Sequence, residues 1–163
     1  MLAFARGLPG LMRAQLIHEW DRTGHQFELD GQRLCVVGLG DIGLALTKRA
    51  SAMGMRVSGV RRREIPPPAH IETVGSLDTM DALLAEADHV ALCLPLTTRT
   101  EGLFSAERFA LLKPGAYLYN IGRGELVDQD ALINALRSGG LAGAGLEGVM
   151  HFRSFSIPLR HGY

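Results

Sequence analysis

Three glycines, Gly38, Gly40 and Gly43, stand in G-x-G-x-x-G spacing, directly after the apolar run Leu34 to Val37 and directly before a helical pattern. An apolar run of that length reads as a parallel strand buried on both faces, so the order is strand, tight turn, helix. The spacing has a physical cause. The first glycine allows the turn, the second lets backbone approach a pyrophosphate, and the third lets helix pack closely on strand. The helix opens near Asp41 and Ile42, and its free N–H groups and positive dipole end would face the phosphates. Glycine-rich turns also occur as plain loops and in methyltransferases; the flanking strand and helix favour a dinucleotide here.

A second stretch able to do chemistry is Arg61-Arg62-Arg63, whose first member lies eighteen positions beyond Gly43. An acidic residue near this distance accepts the adenosine ribose hydroxyls in many dinucleotide sites. Here that position is Arg61. A carboxylate would repel a 2′-phosphate, whereas Arg61 and Arg62 could hold one in charge-assisted hydrogen bonds. The expectation is a preference for NADP(H) over NAD(H), with Arg63 pointing to solvent. The alternative is a solvated basic run before the stiff loop Pro66-Pro67-Pro68.

The elements that must position these residues follow from pattern. Met1 to Trp20 has helical periodicity in two pieces, with a break expected at Leu8, where Pro9 disfavours the helical conformation. Asp21 to Gly31 reads as a connector. Ile42, Ala45, Leu46 and Met53 mark an inner face for the glycine-loop helix, which Gly54 ends. Strands are expected at Arg56 to Val60, Ile71 to Val74, Val90 to Leu94, Tyr117 to Ile121 and Leu141 to Leu146. Helices are expected at Asp78 to Ala87, Ser105 to Leu112 and Gln129 to Ser138, the last N-capped by Asp128 with Ala131, Leu132, Ala135 and Leu136 as its apolar stripe. Strands alternating with helices in this way specify an α/β fold, a doubly wound parallel sheet of the Rossmann type. The division is an N-terminal helical segment and connector over 1–31, a single nucleotide-binding domain over 32–147, and a tail over 148–163. Ligands in such sheets bind beyond the carboxyl ends of the strands, so four segments should converge: the glycine loop, Arg61 to Arg63, Pro95 to Thr100, and Gly122 to Gly124.

Composition narrows the function classes. The 163 residues are 47% hydrophobic and 21% charged, with seventeen basic side chains against seventeen acidic ones, so nothing in the net charge suggests a nucleic-acid or membrane-surface partner. Met1-Leu-Ala-Phe-Ala lacks a preceding basic region and is interrupted by Arg6, Pro9 and Arg13, unlike a signal peptide. No apolar stretch approaches the length of a membrane span, and a cytoplasmic protein is expected. Cys35 and Cys93 sit in apolar runs as small hydrophobes, and the six histidines show no ligand pair at helical spacing, so no metal is expected.

Several motifs resemble the D-isomer-specific 2-hydroxyacid dehydrogenases. Leu39-Gly40-Asp41-Ile42-Gly43 resembles that family's glycine loop, Leu94-Pro95-Leu96-Thr97 with Thr100 its loop after the fourth strand, and Leu112-Lys113-Pro114-Gly115 the lead into its catalytic strand. The most specific match is Asn120-Ile121-Gly122-Arg123-Gly124 with Val127-Asp128 and Ala131-Leu132. The opening, Phe4-Ala5-Arg6 through Leu8-Pro9 to Trp20, resembles the segment by which the family's chain enters its nucleotide domain. The resemblance covers residues 1 to about 147 and is nearest to the glyoxylate and hydroxypyruvate reductases. It implies hydride transfer between a nicotinamide and a small 2-keto or 2-hydroxy acid, and a homodimer. It also implies cofactor contacts from Leu94, Pro95, Thr100, Ile121 and Gly122. Arg123 inherits the grip on the substrate carboxylate and carbonyl, a task that suits a planar guanidinium. The alternative for Arg123 is a strand-end arginine in a surface ion pair.

The departures matter too. Where the family carries an Asp beside the nicotinamide, this chain has Glu147, and beyond it the pattern fails. The family's catalytic Glu and His lie downstream of that point. His151 and His161 are candidates by residue type alone. A substrate domain is also missing from the match, so this chain by itself is expected to bind cofactor and turn over poorly or not at all. The rival reading is a non-catalytic dinucleotide-binding or dimerisation module; a methyltransferase would leave Asn120 to Gly124 unexplained.

Overall fold

The structure, a computed structural model, describes residues 1–20, 26–62 and 65–147. Arg63, His151, His161 and the expected tail lie outside the described residues.

Two short helices, α1 (Leu2–Ala5) and α2 (Leu8–Leu16), precede the sheet. Strand β1 (Arg33–Val37) leads into α3 (Asp41–Ala52) and β2 (Arg56–Val60), and a crossover without a helix brings the chain to β3 (Thr73–Gly75). Then come α4 (Met80–Ala85), β4 (His89–Leu92), α5 (Ala106–Leu111) and β5 (Ala116–Asn120). A 3₁₀ turn (Gly124–Leu126), α6 (Gln129–Ser138) and β6 (Leu141–Leu146) complete the fold. The six strands are parallel in the order β3-β2-β1-β4-β5-β6. The direction of winding reverses between β1 and β4, where crevices for dinucleotides form in such sheets.

Side-chain alternation along each strand explains the two cores. Cys35, Val37, Val90, Leu92 and Leu118 pack against Met80, Leu84, Phe109, Ala131 and Leu132 from α4, α5 and α6. Leu34, Val36, Val57, Ala91 and Tyr119 face α1 and α3. Asp128 caps α6 as expected, accepting the Ala131 N–H at 3.0 Å.

Several boundaries differ from the sequence reading. Leu8 is helical; the break falls at Gly7, whose φ of 64° reverses the chain, and Pro9 is accommodated in the first turn of α2. β3 begins at Thr73 because Ile71 instead buries itself against the α3 side. β4 ends at Leu92 and β5 at Asn120, so Cys93, Leu94 and Ile121 leave the sheet and belong to its carboxyl edge. The face of α3 is the largest correction. Ile42 is 64% exposed, while Gly43, Thr47 and Ala50 form the buried stripe. Gly43 draws the helix so near β1 that only small residues fit along the contact; Ile42, Ala45 and Leu46 flank it and line an apolar groove of about 360 Å³ with Met1, Ala91, Tyr119 and Ile121. Thr47 tolerates full burial because its hydroxyl donates to the Leu44 carbonyl at 2.8 Å and meets His70 Nε2 at 3.0 Å.

A buried polar network sits under the N-terminal segment. His89 is fully buried and stacks with Tyr117, Tyr119 and Phe27. Its Nε2–H donates to Gln32 Oε1 at 2.5 Å, leaving Nδ1 to accept from the Tyr119 hydroxyl at 3.0 Å. Burial holds this imidazole neutral and lowers its pKa to about 4; neighbouring Asp88 opposes the shift, and the Met1 ammonium adds to it. An unfolded His titrates near 6.5. The unfolded state therefore binds the extra proton first, and stability is full above about pH 6.5 and falls as pH drops toward 4. The expected loss is roughly 3 kcal/mol. At Asp88 burial pushes upward, but Lys113 and the Arg33 N–H outweigh it and hold the carboxyl below its usual range, so its contribution is lost only at more acid pH. Urea unfolding at several pH values tests this: a curve flat between pH 6.5 and 4, or one equally steep in His89→Gln, would contradict it.

Candidate functional site

The carboxyl edge of the sheet is assembled by close backbone contact. Gly38 has φ of 105°, and its N–H donates to the Val60 carbonyl at 2.9 Å, which ties the glycine loop to the residue before Arg61. A Cβ on Gly38 would lie 2.7 Å from the Cys93 carbonyl carbon and 2.9 Å from the Leu94 nitrogen. A Cβ on Gly122 would lie 2.8 Å from the Leu94 oxygen and 2.7 Å from Leu126 Cδ1. Backbone therefore rests on backbone from β1 through β4 to β5, and side chains would have held these loops apart. The described residues of the four segments expected to converge lie at one edge, with Arg61 and Arg123 on its two flanks. They are separated by three inter-strand spacings, roughly 14 Å.

Each glycine of the loop has a distinct environment. A Cβ on Gly43 would meet the Gly38 oxygen at 2.0 Å and Val36 Cγ1 at 3.3 Å, whereas one on Gly40 would meet nothing within 4 Å. Gly40 is open to the exterior. It precedes α3 with no side chain capping that helix, and Asp41 and Ile42 are exposed on its first turn. These positions make a testable contrast with simple propensity. Alanine inside a helix is favoured over glycine by about 1 kcal/mol, yet Gly43→Ala is expected to destabilise the fold by about 1–3 kcal/mol through overpacking. A rise in thermal midpoint for this variant would show that the helix has room to shift.

Arg61 is half-buried at the end of β2, its backbone N–H donating to the Gly75 carbonyl at 3.0 Å. Its Nε is buried with no hydrogen-bond partner among the described residues, an uncommon state for a guanidinium nitrogen. Arg62 is exposed beside it. Leu94 is buried, and Pro95 begins an exposed turn closed by Thr100. The Thr100 hydroxyl donates to the Pro95 carbonyl at 2.8 Å and accepts the Thr97 N–H at 2.8 Å, so this residue shapes the loop from within. Ile121 is 36% exposed over the edge. Glu147 is exposed next to it, its N–H donating to the Asn120 carbonyl at 2.9 Å. Arg123 is exposed and makes no ion pair among the described residues.

The thiols take no part. Burial pushes Cys35 and Cys93 up to about 11, with Ser58 pulling Cys35 slightly back, and thiols so shifted are poor nucleophiles at neutral pH. Among the described residues no group of three His, Cys, Asp or Glu is placed to hold a metal, and no helix is long and apolar enough to cross a membrane. Sequence reasoning missed the inward role of Asn120, which is 2% exposed and bonds to the Gly122–Arg123 turn. The signal was present: an Asn closing an otherwise apolar strand needs buried partners.

Residues 1–152 match the family described as D-isomer specific 2-hydroxyacid dehydrogenase, NAD binding domain. The chain belongs to this family. A glyoxylate reductase from Thermococcus onnurineus is 38% identical over 155 residues, covering 90% of this chain and 46% of the relative. A D-isomer specific 2-hydroxyacid dehydrogenase from Xanthobacter autotrophicus Py2, solved in complex with NADPH and MES, superimposes with TM-score 0.82 at 36% identity over 99% of this chain and 49% of that one. The NAD-complexed enzyme from Lactobacillus delbrueckii ssp. bulgaricus gives TM-score 0.76 at 33% identity over 91% of this chain and 46% of its own. This 2-hydroxyacid dehydrogenase chain spans about half the length of those relatives, and the half it spans is the NAD-binding domain.

Proposed function

We propose that this domain serves an NADP(H)-dependent reductase of small 2-keto acids of the glyoxylate or hydroxypyruvate type, working as a homodimer in the cytoplasm. The observation that carries the reading is the crevice floor: the Gly38 loop rests on Cys93–Leu94 and Leu94 rests on Gly122, with Arg61 and Arg123 three strand spacings apart across it. Two features fit the cofactor independently of the floor. Gly40 leaves open space at the start of α3, and Arg61 Nε is a buried donor without an acceptor.

The amides opening α3 at Asp41, Ile42 and Gly43 would take the pyrophosphate. Arg61 and Arg62 would take the 2′-phosphate. Leu94, Pro95 and Thr100 would bound the middle of the crevice, and Ile121, Gly122 and Glu147 its nicotinamide end. When bound, the nicotinamide supplies or accepts the hydride. Arg123 would hold the substrate carboxylate in a bidentate pair and stabilise the negative charge that develops on the carbonyl oxygen. Titrating NADPH and NADH into the chain by fluorescence tests the reading; NADPH is expected to bind at least about tenfold more tightly, the loss of one charge-assisted bond, and absence of binding by either would end it.

The dimer rests on α2 and its sequel. Leu8, Met12, Leu16, Ile17 and Trp20 are 45–85% exposed, a run of large apolar side chains that monomers rarely leave uncovered. Phe4 packs inward on Tyr117 and Tyr119 above Gly143 and Gly145. Light scattering at about ten micromolar is expected to give twice the chain mass, reverting to the monomer in Leu16→Glu with Trp20→Glu. A monomeric wild type would refute the dimer. The two unpaired thiols suit a reducing compartment.

A further inference from the structure

We propose that Asn120 is a positioning residue for Arg123, holding the turn from which the guanidinium reaches a substrate carboxylate; this rests on the reading of Arg123 given above. Asn120 is the last residue of β5, and the ladder ends with it: Ile121 N–H donates to the Leu92 carbonyl at 3.2 Å, and the Asn120 carbonyl accepts from Glu147 N–H at 2.9 Å. Among the described residues neither neighbouring strand bonds Gly122 or Arg123. The Asn120 side chain does so instead. Its Oδ1 accepts the Gly122 N–H at 3.0 Å, and its Nδ2 donates to the Arg123 carbonyl at 2.8 Å. That carbonyl also accepts the Leu126 N–H at 3.2 Å, closing the 3₁₀ turn on the far side.

The root of Arg123 is thus gripped on both sides, while its side chain stays exposed and free of ion pairs among the described residues. Gly122 completes the arrangement, since a Cβ there would press on Leu126, the Leu94 oxygen and, at 3.4 Å, Asn120 Oδ1. A buried carboxamide with both halves committed to one turn specifies a geometry that a purely apolar strand end could not. Aspartate, nearly isosteric, keeps the acceptor for Gly122 but lacks the donor and sets a carboxylate oxygen against the Arg123 carbonyl.

The test uses the full chain with NADPH and oxamate, a carboxylate-bearing mimic of a 2-keto acid. The readout is the oxamate-induced shift of the Arg123 side-chain N–H resonance, assigned with Arg123→Lys; adenosine 2′,5′-bisphosphate affinity reports on the distant flank. Asn120→Ala and Asn120→Asp are expected to bind the bisphosphate within twofold of wild type and to need at least tenfold more oxamate for the same shift. Should Ala fail to fold, Asp decides. An unchanged oxamate response in the folded variants overturns the proposal alone, and parallel loss of bisphosphate and oxamate binding overturns it in favour of a merely structural role. A wild type whose Arg123 ignores oxamate removes the reading of Arg123 and this proposal together.

Discussion

Arg61→Asp combined with Arg62→Ala is expected to reverse the cofactor preference of the domain. On the proposed reading two guanidinium groups would face the 2′-phosphate, each able to form charge-assisted hydrogen bonds of ~1.5–3 kcal/mol. Removing both lowers NADPH affinity by roughly 10²–10⁴-fold, since ~1.4 kcal/mol is a factor of ten. The aspartate also repels the phosphate and supplies an acceptor for ribose hydroxyls, so NADH affinity should hold or rise. The two residues are not equivalent. Arg61 carries a buried, unpartnered Nε and so gains most from an acceptor, whereas Arg62 is exposed and more strongly screened. Arg61→Asp alone should therefore account for most of the change. Fluorescence titrations of both cofactors on wild type and variants measure it; an unchanged NADPH to NADH ratio in the double variant would dispose of the assignment.

The second large effect concerns turnover. The 163-residue chain, assayed with NADPH and hydroxypyruvate, is expected to run at least ~10²–10⁴-fold below a full-length family enzyme, the usual contribution of a positioned general acid. The described histidines explain why. His89 starts β4 at the opposite edge of the sheet and is locked neutral in its own network, His70 is bonded to Thr47 on α3, and His18 lies in the N-terminal segment. None of these stands beside Arg123. Robust turnover that disappears in His161→Ala would show that the tail supplies the missing acid.

The fold was legible wherever one physical signal dominated. The glycine spacing located the start of α3, and the apolar run located β1, because a buried parallel strand has no reason to alternate; β2 and β6 were found at the expected places between helices. α6 was legible through its cap and stripe together. The errors have a common cause, which is that hydrophobicity ranks residues by size while close packing selects them by fit. Ile42 is bulky and was assigned inward, yet it is exposed; the closest contact is made by Gly43, Thr47 and Ala50, with Leu46 packed at its margin, and a hydroxyl is buried there because the Leu44 carbonyl accepts its proton and a ring nitrogen of His70 lies in reach. His89 was equally hidden, since its partners Gln32 and Tyr119 are distant in sequence and only the sheet brings them together. At the site the residue types were legible, but the clasp made by Asn120 was not, because a motif records which residues recur and not which of them touch.

The backbone-on-backbone floor beneath the crevice separates what this chain can vary from what it cannot. Gly38, Gly43 and Gly122 leave no volume for any other side chain, so substitutions there disrupt the scaffold itself. Arg62 and Arg123 are exposed above this floor and Arg61 is half-buried at its flank, where, on the proposed reading, a replacement would alter recognition more than the scaffold. If Arg61 and Arg62 set the cofactor choice as proposed, a lineage built on such a floor would exchange one nicotinamide cofactor for the other in one or two codon changes, with no compensating mutation in the core.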